Sequence, residues 1–164
     1  MEAITAKLIS RMIDYEIGKP ALIHHFLKVH NYAAAIGQME GLDEKTLFIL
    51  ETAAVVHDIG IPYADQLCGH HEGPLQEKYG PALAEKMLSE LGYEQDVIQR
   101  VAYLVGHHHT YHDVDGIDYR ILLEADFLVN SLEEGLSKEA IRNFMDKVFE
   151  TETGIRMLTQ MFEL

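Results

Sequence analysis

Apolar residues recur at helical spacing along nearly the whole of this chain, and strict apolar–polar alternation is nowhere sustained. A period near 3.6 commits a chain to helices, where a period of 2 would commit it to strands. The expected fold class is therefore all-α, a single-domain bundle of about seven to eight helices. Stop and start residues set the expected boundaries. A first helix is predicted over 5–17, ended by Gly18 with Pro20 beyond, and a second over 21–39, ended by Gly41. Asp43 is positioned to cap a third that ends near His57-Asp58, where Gly60 and Pro62 follow. Residues 59–75 are rich in Gly and Pro and read as a long connection, a kind of segment that is often functional. Further helices are expected over 81–91, 95–109, 119–132 and 138–149, with a short one near the C-terminus.

The length of 164 residues suits one domain, expected to span residues 1–164. With 48% hydrophobic and 24% charged residues, wholesale disorder is excluded. Acidic residues number 27 against 13 basic ones, a net charge of −14. Such a field repels phosphate backbones and anionic lipid, so neither a nucleic-acid polymer nor a membrane is expected as partner. A small anionic substrate stays feasible, because a bound divalent cation reverses the field locally. Cys68 stands alone and leaves no internal disulfide. No basic-then-apolar leader and no run of roughly 18 uncharged apolar residues is read, so a cytoplasmic location is expected. Met157 and Met161 are expected to pack within the fold or to serve a homodimer contact.

Ten histidines are the unusual element of the composition, and none lies at a terminus. His30 falls on the apolar stripe Leu22, Phe26, Ala33, Ala34 and Gly37, which should meet the core. The stripe Leu50, Ala54 continues to His57 or Asp58, and Asp126 shares a face with Tyr119, Leu122 and Val129. Any one of these has an ordinary explanation: a core histidine satisfied by a hydrogen bond, an inward salt-bridge partner, or an imidazole favoured by a helix C-terminus. Three helices each sending such a group inward is a different matter. Buried carboxylates are paired or bound to metal, and two imidazoles with two carboxylates suit Fe, Mn, Zn, Ni or Co better than Ca.

The ordered set His30, then His57-Asp58 followed by Ile59-Gly60, then Asp126 within Glu124-Ala125-Asp126-Phe127-Leu128, resembles the pattern of the HD-domain superfamily of metal-dependent phosphohydrolases. His30 and His57 are 27 residues apart, and Asp58 and Asp126 are 68 apart. The resemblance covers about residues 20–132, with the helices of 137–164 packing on that core. It implies an HD-type helical bundle holding one or two divalent transition-metal cations through His30, His57, Asp58 and Asp126, with His57 and Asp58 in catalytic positions. The activity it implies is hydrolysis of a small phosphate ester, with a nucleotide among the candidates, by attack of a metal-activated water.

The run Val101 to His109 is similar to the His-His segment of two-metal members, with His108 and His109 at the paired positions and His107 beside them. Those members place another histidine on the preceding helix, where this chain has Gln76 or Glu77. His70, His71 and Glu72 are further candidates for a second metal or a phosphate contact. No lysine follows Gly60, and no acid lies three residues after Asp58. Two other functions stay open: a di-iron oxygenase of related fold, and a metal- or nucleotide-sensing module without turnover. Asp113, Asp115 and Gly116 lack the later ligands of a calcium loop and read as a turn. Cys68 has no arrangement around it that would activate a nucleophile.

Overall fold

The computed structural model describes residues 1–164 and consists of helices without strands. In order they are α1 (Ala3–Tyr15), α2 (Pro20–Met39), α3 (Glu44–Val56), α4 (Ile61–Cys68), α5 (Gly73–Leu91), α6 (Gln95–Val105), α7 (Ile117–Glu133), α8 (Lys138–Val148) and α9 (Glu152–Phe162). The all-α architecture is as expected. Asp43 caps α3, its carboxylate accepting from Thr46 N at 3.0 Å.

The segment 59–75 differs from its expected form. Most of it is helical, because Pro62 and Pro74 lie in first turns, where a missing N–H costs nothing and a fixed φ assists. They start α4 and α5 rather than ending what precedes. Gly69 (φ 76°) provides the left-handed turn between the two. Pro81, the expected start of a helix, lies inside α5. At the other end, α6 stops at Val105, four residues before the expected His109. There the imidazoles compete with the helix: His107 Nδ1 bonds Tyr103 O and His108 Nδ1 bonds Val105 O, both at 2.7 Å.

One apolar core joins all of this. Helix α3 runs through its middle, touching α1, α2, α6 and α7, and Leu50, Ala53, Ala54, Val55 and Val56 are all fully buried. The stretch Glu44–Cys68 is apolar and long enough by composition to cross a membrane, but 67% of its most apolar window is buried in the bundle, as a central core helix is. The last two helices are tied to α7. Buried Glu124 accepts hydrogen bonds from Glu150 N, Thr151 N and the Thr151 hydroxyl, and Phe127 stacks on Phe144 at 3.8 Å. Helices α2, α3 and α7, which carry imidazoles and carboxylates, pack directly against one another.

Candidate metal centre

Helix α2 brings His25, the end of α3 brings His57 and Asp58, and α7 brings Asp126. His25 Nε2 lies 3.2 Å from His57 Nε2, 3.1 Å from Asp126 Oδ1 and 3.4 Å from Asp58 Oδ2. His57 Nε2 lies 3.3 Å from Asp58 Oδ2 and 3.5 Å from Asp126 Oδ1. The other oxygen of Asp58 faces away, 3.4 Å from His108 Nε2. Two donor groups thus share one carboxylate: His25, His57 and Asp58, and Asp58, His108 and His109, each with ligand atoms within 4.8 Å of one another. Close backbone approach makes this possible. A side chain at Gly60 would put a Cβ 3.0 Å from Gln76 O, and one at Gly73 would meet His109 Cγ at 2.9 Å.

The tautomers follow from the outer partners. A carbonyl cannot donate, so His57 Nδ1–H donates to Ala54 O at 2.8 Å and His108 Nδ1–H to Val105 O at 2.7 Å. His25 Nδ1–H donates to Glu133 Oε2 at 2.8 Å. Neutral rings held this way present bare Nε2 lone pairs to the interior, a device that orients metal-ligating histidines. Here the Nε2 atoms of His25 and His57 face each other and two carboxylates. Only shared protons or a cation can satisfy such a set, and its donor chemistry fits a divalent transition metal.

Where protons serve, ionisation shifts accordingly. Burial opposes charge on His57 and His25, but Asp58 and Asp126 outweigh it, and both imidazoles are raised, His57 well above its ordinary value. Burial likewise opposes the Asp58 and Asp126 anions, yet the imidazoles hold both below the usual carboxylate range. Burial and the neighbouring His108 push His109 down to about 4, leaving its ring neutral.

These shifts set how the cation-free protein responds to pH. The stability that His57 contributes is complete below the ordinary imidazole value of about 6.5 and is lost as pH rises through its elevated folded value. The contribution of the two carboxylates is complete above about 3.9 and is lost as pH falls through their depressed values. His109, neutral down to about 4, instead withdraws stability as pH falls below about 6.5, so the chelated protein is expected to melt highest near about pH 6.5 and to lose stability on the alkaline side unless a cation replaces the protons. Melting curves with and without chelator check this; a midpoint of the chelated protein that climbs through the alkaline range contradicts it.

The structure brings together His57, Asp58, Asp126, His108 and His109 among the residues singled out from sequence. It places His30 elsewhere. His30 is buried between α2 and α3 with Nε2 3.2 Å from Glu51 Oε1, outside hydrogen-bonding geometry, and burial lowers its pKa against the pull of Glu51. The α2 imidazole of the cluster is His25. Helix α2 is buried on two sides, against α3 and α7, so an apolar stripe alone does not say which side faces the cluster. The signal was present in the stripe His25, Val29, Ala33 and Ile36, all buried, at the spacing of one helix face.

His107 stacks on Tyr103 at 4.1 Å and lies outside both groups. Glu77 accepts from His109 N and the Thr110 hydroxyl, each at 2.9 Å, and pins the turn instead of entering the cluster. Gln76 Oε1 approaches His109 Nε2 at 2.8 Å and His108 Nε2 at 3.2 Å. A cleft of about 230 Å³ opens over the cluster, with His25, Asp58, Asp126, His109, His71 and Glu133 among its walls and no lysine or arginine. His70 and Glu72 are exposed and line a separate surface depression.

A family model for the HD domain matches residues 22–142. A solved structure described as a predicted HD superfamily hydrolase from an uncultured Thermotogales bacterium aligns with 96% of this chain and 84% of its own, with a TM-score of 0.70 and 23% identity. Likeness at that identity is a likeness of fold. A comparison with curated proteins finds no significant match.

Proposed function

Because this chain belongs to the HD domain family, we propose that its buried imidazole–carboxylate cluster holds a divalent transition metal and that the protein hydrolyses small phosphate esters. The observation that carries this is the pair of Nε2 atoms of His25 and His57, 3.2 Å apart and facing Asp58 and Asp126. His25, His57, Asp58 and Asp126 would hold one cation, and Asp58, His108 and His109 a second. Gln76, which presents a carbonyl oxygen where two-metal relatives have a histidine, favours tight binding at the first position and weaker binding at the second. When bound, such a cation supplies Lewis acidity and a water of lowered pKa.

The chain's own residues account for the rest. Asp58 ties the two positions together through its two oxygens. Glu133 fixes the His25 ring and is itself held by Lys28 at 2.5 Å. The cleft offers a phosphate no lysine or arginine, so neutralisation of its charge falls chiefly to the cation. Its volume of about 230 Å³ is smaller than the ~300–1,000 Å³ of pockets for drug-sized ligands, which suits a phosphoryl head with a small leaving group.

Elemental analysis of the purified protein, joined to a turnover screen of small phosphate esters, tests the proposal. We expect at least one tightly held transition-metal ion per chain, phosphate release by the loaded protein, and none after chelation. Saturable binding without turnover would favour a sensing module, for which the substitution at Gln76 is the supporting observation. Oxygen uptake by the iron-loaded protein would favour an oxygenase.

A further inference from the structure

Resting on the phosphohydrolase proposal, we infer that His71 is the general acid that protonates the leaving-group oxygen, and that Asp65 is its positioning residue. His71 belongs to the short segment between α4 and α5. Its Nδ1 lies 2.7 Å from Asp65 Oδ1 on α4, and its carbonyl accepts from Gln76 Nε2 on α5 at 2.6 Å. The residue is thus tethered through its side chain to one helix and through its main chain to the next.

It lines the same cleft as Asp58 and Asp126, yet belongs to neither group of converging ligand atoms. The other imidazoles on the cleft wall are engaged, His25 with Asp126 and Glu133 and His109 with Gln76. His71 is the one whose Nε2 has no partner in the protein. Its side chain is 51% exposed, so solvent can return a proton to it. An imidazole whose Nδ1–H is held by a carboxylate is fixed in ring orientation and tautomer, an arrangement that serves acid–base catalysis.

The step balances. Water oxygen forms a bond to phosphorus while the bond from phosphorus to the ester oxygen breaks, its electron pair passing to that oxygen. The ester oxygen takes the Nε2 proton of the His71 imidazolium and leaves as the alcohol. One proton of the water remains on the phosphate; the other passes to solvent, from which His71 is reprotonated. The sum is ester plus water to alcohol plus hydrogen phosphate.

Leaving-group dependence tests this, because an acid is needed by a poor leaving group and hardly by a good one. With metal-loaded protein, His71→Gln is expected to lower kcat for an alkyl phosphate by about 10²–10³-fold, within the usual range for general acid catalysis, and for p-nitrophenyl phosphate by no more than about threefold. Asp65→Asn should show the same contrast at about a tenth of the size, with KM unchanged, and Asp65→Glu should recover part of the alkyl-ester rate. Equal losses on both esters in His71→Gln would overturn the assignment, as would loss of bound cation in that variant. Wild-type protein that hydrolyses neither ester would overturn the phosphohydrolase proposal and this assignment with it.

Discussion

Asp58→Ala is expected to empty the centre of metal and to lower phosphate-ester turnover by about 10³-fold or more, on the order of 4 kcal/mol of transition-state stabilisation. The reason is geometric. Asp58 Oδ2 lies 3.3–3.4 Å from the His57 and His25 nitrogens, while Oδ1 lies 3.4 Å from His108, so one truncation removes a ligand from both positions. It also takes the largest attractive charge from His57, which is fully buried. Asp58→Asn keeps the shape and loses the charge, and should fail nearly as completely. Metal content and turnover measured on both variants, with helicity by circular dichroism as the control for folding, decide the matter. Full activity in either folded variant would remove the basis for a shared carboxylate.

His25 and His30 provide the second test, since they share a helix and differ only in what they face. His25→Ala removes a nitrogen 3.1–3.4 Å from two carboxylates. Even partners that merely orient a ligand are worth about 10–100-fold in metal affinity, so this variant is expected to weaken binding by at least about 100-fold. His30→Gln should keep both affinity and turnover. Its cost is confined to stability, about 1 kcal/mol for the altered contact with Glu51. Calorimetric titration of the chelated proteins with a divalent cation separates the two. A His30 variant that loses the metal while His25→Ala keeps it would reverse the assignment.

The contrast between these two histidines also shows how far the sequence could be read. Apolar periodicity correctly implied an all-helical chain and turned His57, Asp58 and Asp126 inward. It placed an imidazole on α2 as well, but chose His30, because both rings lie on buried faces of a helix that is covered on two sides. The third helix was bounded well because a side-chain cap, Asp43, marks its start. Prolines misled where they open a first turn, at Pro62 and Pro74, since there a proline favours the helix it would otherwise interrupt. The run His107 to His109 misled for another reason: the Nδ1 atoms of His107 and His108 take carbonyls that a longer α6 would have used.

By itself, then, the sequence determined the helical class, the net acidic charge, and the inward direction of a His-Asp pair and a distant Asp. These are local properties, set by residue type and by angle around one helix axis. The tertiary structure alone decided which imidazole of α2 joins that pair, that Asp58 divides its two oxygens between two groups, and that His71 reaches the cleft from an exposed turn held by Asp65 and Gln76. Those outcomes depend on which helix lies opposite which face, and the spacing of residues along one chain carries no information about the neighbour it will meet.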